Sequence, residues 1–202
     1  MAVLKRKIPK HSYSGDKWKT NPTNKKYLAI DFDHHCAYCD DKDVYSGGER
    51  AYEVEHFAPK SKFPALKNTY ENLLYACPYC NGAKSNTWVS NDAAISVVGN
   101  KGFISPCNVD YYTHLIRNAD GTISATTELG KYMRKHLKLF LRRHSIIFLL
   151  EEVDKRCDQL ETLIDAEEAK GNDATKLKIA HSELTRQLRQ YYKIIYNNPV
   201  QR

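Results

Sequence analysis

The sequence predicts an α+β protein in which a small metal-stapled module of short strands and helices is followed by a β-hairpin and a long C-terminal helical region. Three observations carry that prediction. Two Cys-x-x-Cys pairs, Cys36/Cys39 and Cys77/Cys80, offer four thiolates, the tetrahedral set that structural zinc prefers. Short alternating segments and a Gly-ended turn between Asn118 and Gly121 read as strands and a hairpin. Beyond Thr127, apolar residues recur in steps of three and four through two long stretches.

In chain order, the first 26 residues form a basic arm. Residues 1–30 carry eight Lys or Arg against the single acid Asp16, while the rest of the chain carries 23 charges of each sign. Such an arm suits a phosphate backbone, and a solvated leader is the plainer alternative. It has no apolar core or small-residue cleavage site, and no apolar run is long enough to span a bilayer, so a reducing cytoplasmic setting without membrane contact is expected. In that setting Cys-x-x-Cys pairs read as metal ligands before disulfides.

A short helix capped near Asn21 and Pro22, with Tyr27, Leu28, Ile30 and Phe32 on its apolar face, leads into "CAYC". "AYEVEHF" alternates as a strand. "YENLLYAC" reads as a short helix or turn into the second cysteine pair, and "NGAKSN" as the opening of another helix. "GFISPCNVDYYTHLIRNADGTISATT" reads as the hairpin. From Thr127 the chain is expected to be helical with one break at "KGND". The stripes Ile146–Ile164 and Leu177–Ile195 then pack as antiparallel helices, closed within the chain or shared with a partner. "LKLFLRRHSIIFLL" is apolar on more than one face, which predicts a contact with another protein chain. The expected division is a basic arm at 1–26, a zinc-stapled module with its hairpin at 27–126 and a helical interaction region at 127–202.

Four thiolates close zinc's coordination sphere, so the zinc is a staple and any catalysis needs a second ion. Glu55 and His56, then Asn72, then Asn81 form an ordered series of acid, imidazole and amides. Oxygen donors of this kind suit Mg²⁺. Phosphodiester hydrolysis needs a base, a cation for the leaving oxygen and positive groups for the phosphate. His56, an ion on Glu55 and Asn81, and Lys84 can supply one each. Lys60 and Lys84 are phosphate candidates, although solvated surface is the plainer reading of any single lysine. Lys84 is favoured on the expectation that it sits at a helix start, an anion site. Cys107 and Cys157 read as packing residues. Arg134, Lys135, Lys138, Arg142 and Arg143 read either as a nucleic-acid groove or as a solvated helix face.

"EVEHFAPKS…YENLLYACPYCNGAK" resembles the HNH endonuclease motif in its subgroup with two cysteine knuckles. That resemblance implies a ββα-metal core in which His56 is the general base and Glu55 and Asn81 ligate the catalytic divalent ion, Mg²⁺ or Mn²⁺. It implies that Asn72 fixes the loop between the strands, and that Cys36, Cys39, Cys77 and Cys80 hold structural Zn²⁺. Glu stands at position 55 where the family usually has Asp. The segments "FISPCNVDYYTHLIRNADGTI" and "TELGKYMRKHLKLFLRRH" are similar to those following the HNH module in Septu-type anti-phage nuclease subunits, which work beside an ATPase partner. The function implied is metal-dependent cleavage of nucleic acid, DNA first, within a bacterial defence complex. The alternatives are a non-cleaving zinc-ribbon binding module and a subunit whose nuclease acts only in complex with an ATPase.

Overall fold

A computed structural model of the chain describes residue 4, residues 7–13 and residues 21–197. Lys5, Arg6, Lys17 and Lys19 of the basic arm lie outside the described residues. Lys7 and Lys10 are exposed, yet the arm is not simply a solvated leader. Leu4 is buried in the core, His11 Nε2 donates to the Leu73 carbonyl at 2.7 Å, and the Ser12 amide donates to Asp31 at 2.9 Å.

Helix α1 (Asn21–Asp31) buries Leu28 and Ala29, with Phe32 just beyond it; Ile30, expected on the apolar face, is 66% exposed. The chain then makes the first cysteine turn and enters β1 (Glu53–His56). "YENLLYAC", expected as a short helix or turn, begins with a single 3₁₀ turn, Tyr70–Asn72, but continues as strand β2 (Leu73–Ala76). Leu73 to Ala76 are buried on both faces, so they read as a continuous apolar run rather than an alternation. β1 and β2 pair antiparallel, with Glu55 opposite Leu74 and His56 opposite Leu73.

Helix α2 (Pro78–Lys84) also departs from expectation, because "NGAK" closes it rather than opening it. Cys77 is its cap, with Sγ accepting from the Cys80 amide, and Pro78 fits the first turn, where a missing N–H costs nothing. The helix stops at Ser85, whose φ of 46° breaks the helical path.

The polar stretch that follows holds a two-residue ladder, β3 (Val97–Val98) with β4 (Lys101–Gly102). A one-turn helix α3 (Tyr111–His114) precedes the true hairpin, β5 (Leu115–Arg117) with β6 (Ile123–Ala125). The hairpin is therefore shorter than its sequence span, and "GFISPCNVD" lies outside it. Gly121 closes the turn at φ 79°, and a Cβ there would lie 2.6 Å from the Ser145 carbonyl oxygen. Only glycine permits both that backbone and that approach.

Thr127 caps α4 (Glu128–His136) through a 3.0 Å bond from the Gly130 amide. An additional break at residues 137–141, with Lys138 at φ 52°, separates α4 from α5 (Arg142–Ala169). The break at "KGND" is where it was expected: Gly171 has φ 74°, and Asp173 accepts from the Thr175 amide at the start of α6 (Thr175–Asn197).

Two cores result. The first takes in α1, β1, β2 and the cysteine turns and continues beyond Thr127 through Leu129, Met133, Leu137 and Leu139. The second joins α5 to α6 through Ile146, Leu150, Val153, Cys157 and Leu188, with Tyr45 from the first cysteine turn. "LKLFLRRHSIIFLL" is apolar on several faces because α5 is covered on one side by the cysteine turn and on another by α6. The wide apolar arc thus does not require another chain. Tyr191 and Tyr192 line the seam, whereas Tyr196 is 64% exposed.

A cluster of buried charges fixes α5 to the first cysteine turn. Asp41 accepts from Arg143 at 3.1 Å and His144 at 2.7 Å, and Arg117 donates to the Cys39 carbonyl and, at 2.8 Å, to the Gly121 carbonyl. Arg143 therefore belongs neither to a groove nor to a solvated face. His34 bonds Asp43 and His35 bonds Glu151, both at this same junction.

Candidate active site and zinc centre

The two cysteine pairs meet although 37 residues separate them. Cys36, Cys39, Cys77 and Cys80 are fully buried and unpaired as disulfides, and their sulfurs all lie within 4.8 Å of one another. Cys39 and Cys77 are 3.8 Å apart. With Zn–S bonds of about 2.3 Å, a regular tetrahedron has an edge of about 3.8 Å, so the donor set fits a structural zinc. Burial pushes the thiols of Cys39, Cys77 and Cys80 up, so zinc uptake displaces protons. Arg143 lies over the Tyr79 ring at 3.7 Å. Burial works against its charge, but Asp41, Cys77 and Cys39 hold its guanidinium above its ordinary pKa.

Directly beside this staple, β1 and α2 enclose a cleft of about 240 Å³ lined by Glu55, His56, Lys60, Asn81 and Gly82, with Val54, Pro59, Ser85 and Asn86. His56 is 5% exposed, and its Nε2 lies 3.0 Å from the Lys67 carbonyl. A carbonyl only accepts, so Nε2 carries the proton and the Nδ1 lone pair is the basic one. Burial, reinforced by the charges of Lys60, Lys84 and Lys67, holds His56 below its usual range against the opposing pull of that hydrogen bond. A neutral imidazole with a fixed tautomer is suited to taking a proton from water.

Asn72 does not line the cleft. Its Oδ1 accepts from the Ala58 amide at 2.8 Å, and its Nδ2 donates to the carbonyls of Ala58 at 3.0 Å and Leu66 at 3.3 Å. It ties down both ends of the loop between the strands. Leu66 precedes Lys67, so the clamp reaches the carbonyl that orients His56.

Glu55 is 4% exposed. Lys84 Nζ meets its Oε1 at 2.6 Å, and the Tyr38 hydroxyl donates to the same oxygen at 3.3 Å. Lys84 is itself fully buried and also donates to the His56 carbonyl at 3.2 Å. The expectation that Lys84 meets phosphate from a helix start is therefore corrected: it closes α2 and is the counter-ion of Glu55. Burial pushes the Glu55 carboxyl up and the Lys84 amine down, as desolvation of a charge pair must. Lys60 remains exposed at the cleft. Asn81 lies across from Glu55, but its amide donates to Glu53, two residues earlier in β1. Sequence reasoning passed over Glu53, although a strand's period of two sets it on the face of Glu55. Tyr38 and the Lys67 carbonyl were also missed. The carbonyl carries no side-chain signal at all.

Two strands, a following helix and an adjoining cysteine cluster define a zinc-stapled ββα-metal module. Residues 36–87 match the family model for HNH endonuclease, so this part of the chain is an HNH domain. The "Septu protein PtuB" of Bacillus thuringiensis is similar to this chain, 41% identical over 49 residues, which is 24% of this chain and 18% of that protein. The match thus spans under a fifth of that relative's length. No solved structure matches the chain.

Proposed function

We propose that this chain is a metal-dependent endonuclease that hydrolyses phosphodiester bonds of nucleic acid, with DNA the expected substrate. The observation that carries the reading is His56, buried, its Nε2 proton held by a backbone carbonyl, in one cleft with Glu55, Asn81 and Lys60. His56 Nδ1 takes the proton from the attacking water. Lys60 holds a phosphate oxygen at the mouth, and Asn72 keeps the loop, and with it the His56 orientation, in place. Glu55 and Asn81 are the residues that would hold Mg²⁺ or Mn²⁺. Such an ion, when bound, supplies positive charge for the leaving oxygen.

The resemblance to Septu-type subunits, together with the similarity to the Septu protein PtuB, supports a further reading, that the chain is the nuclease of a bacterial anti-phage system and works with a protein partner, an ATPase or a second copy, through its C-terminal helices. On this reading residues 27–126 carry the chemistry, residues 127–202 carry the docking and the arm at 1–26 meets the nucleic acid. No helix among the described residues is long and apolar enough to cross a membrane. The Glu55–Lys84 ion pair favours one variant, a nuclease held back until its complex assembles, because an ion must compete with Lys84 for Glu55. Cleavage of plasmid and RNA substrates, with and without divalent ion, tests the proposal against His56→Ala. Equal cutting by the two proteins would refute it.

A further inference from the structure

On the far side of α2 from His56 lies a second cleft, of about 410 Å³, which shares Gly82 with the first. Its floor is Tyr79, Ala83 and Leu141, and its prominent wall is Phe140. Phe140 is 51% exposed, an unusual setting for so large an apolar ring. It is not loosely held. Leu137 and Leu139, just before it in the chain, are 0% and 1% exposed, and the Leu139 and Leu141 amides bond back to the Arg134 and Lys138 carbonyls at 2.9 and 3.2 Å. The break between α4 and α5 therefore buries alternate residues and presents Phe140 outward.

Charge and shape say what this ring is presented to. Among the described residues no acidic side chain lines the cleft, whereas Lys138 does and the Arg134 guanidinium lies 5.8 Å from the Phe140 ring centre. Gly82, the wall between the clefts, is exposed, and a Cβ built on it would meet nothing within 4 Å. Its backbone shows no positive φ, so the fold does not demand glycine there, and glycine inside a helix is unfavourable. A missing side chain that packing does not require is what close approach of a ligand does require. An aromatic face, cations and a low passage towards the phosphate-cleaving cleft are the parts of a single-strand binding platform.

We propose that the Phe140 cleft is a stacking subsite for an unpaired nucleobase of the strand whose phosphate lies beside His56. This deepens the nuclease reading and rests on it. The preferred substrate is then a single strand, or a duplex opened next to the cut, and the base is held by its face rather than read by its edges.

The test is binding, measured by fluorescence anisotropy on the full chain carrying His56→Ala, with a labelled single-stranded oligonucleotide, the corresponding duplex and single strands bearing one abasic position. Adding Phe140→Ala should weaken single-strand binding by about 5- to 150-fold, the range for loss of one stacked base, and leave duplex binding within twofold. Phe140→Trp should retain binding, and the abasic strand that weakens binding to the Phe140-containing protein should show no further loss with Phe140→Ala. Gly82→Leu should weaken single-strand binding while melting temperature holds or rises, a combination that a purely structural role cannot give. Unchanged single-strand affinity in Phe140→Ala, or equal loss on duplex, would overturn the proposal. So would a Phe140→Ala protein that binds normally but falls from dimer to monomer in sedimentation, since the ring then belongs to a second copy. Cleavage is scored separately on the His56-containing protein: failure to cut in any divalent ion, with these binding results intact, would sink the nuclease reading alone.

Discussion

Replacing Lys84 with methionine keeps an unbranched side chain, one heavy atom shorter, and removes the ammonium with its charge and its hydrogen bonds to Glu55 and the His56 carbonyl. Lys84 and Glu55 are 2.6 Å apart, with side chains 0% and 5% exposed, so nothing in the solvent can substitute for the lost ammonium. Removing one partner of so buried a pair costs about 3–5 kcal/mol, because the other charge is left desolvated and uncompensated. For a chain of this size that corresponds to a melting temperature lower by roughly 6–20 °C. The deficit depends on pH with a defined sign. The folded-state pKa of Glu55 is raised above its unfolded value, so the unfolded chain releases its proton first as pH rises and stability falls until Glu55 itself ionises. Lys84→Met should accordingly lose less at pH 5 than at pH 8. Adding Glu55→Gln to Lys84→Met should recover most of the loss, and Mg²⁺ should stabilise the single variant more than the native protein, because a cation is what its site lacks. Urea denaturation at the two pH values, with and without Mg²⁺, measures all of this. A Lys84→Met protein within 1 kcal/mol of native at pH 8 would refute the buried pair.

Three other outcomes are expected. His56→Ala should lower cleavage by a factor on the order of 10² to 10⁴ without changing zinc content. Because His56 sits below the usual histidine range, the acid limb of the native rate should have its midpoint below about pH 6.5, and Lys60→Met, which removes an opposing charge, should move it upward in a pH–rate profile. Stripping zinc, or replacing Cys80 with serine, should unfold the module as followed by circular dichroism. Reloading should weaken as pH falls, because the raised thiols of Cys39, Cys77 and Cys80 must give up protons. Asn72→Ala leaves the buried Ala58 amide and carbonyl and the half-buried Leu66 carbonyl without their partner, at a cost of about 1–3 kcal/mol. It should lower kcat through the freed Lys67 carbonyl while zinc stays bound, which metal analysis beside single-turnover kinetics can separate.

The parts legible in the sequence were those whose chemistry travels with residue type. Four cysteines in two pairs specify a tetrahedral donor set wherever the chain carries them, and the breaker at Gly171 specifies a helix end. The order Glu55, His56, Asn72, Asn81 was likewise readable. What each of those side chains touches was not, because those partners are set by packing. Lys84 was read as a phosphate ligand at a helix start, and only the placement of α2 against β1 shows it buried against Glu55. β2 was hidden because both of its faces are covered, which erases the period of two. The apolar excess of "LKLFLRRHSIIFLL" was real, but Leu137 and Leu139 are covered by the zinc-side core and Ile146, Ile147 and Leu150 by Tyr45 and α6, which no local pattern announces, while Phe140 stays exposed.

The charge cluster at Asp41 also sets an order of events during synthesis. Asp41 finds Arg143 and His144 only 102 and 103 residues later in the chain. At roughly 5–20 residues per second, about 5–20 s of translation separate the first cysteine turn from the guanidinium and imidazole that neutralise its aspartate. The second cysteine pair leaves the ribosome much earlier, so the zinc module can close while its future helix-docking face still lies open to water. Over that interval Asp41 keeps a charged, hydrated spot where an apolar residue would offer a sticky one.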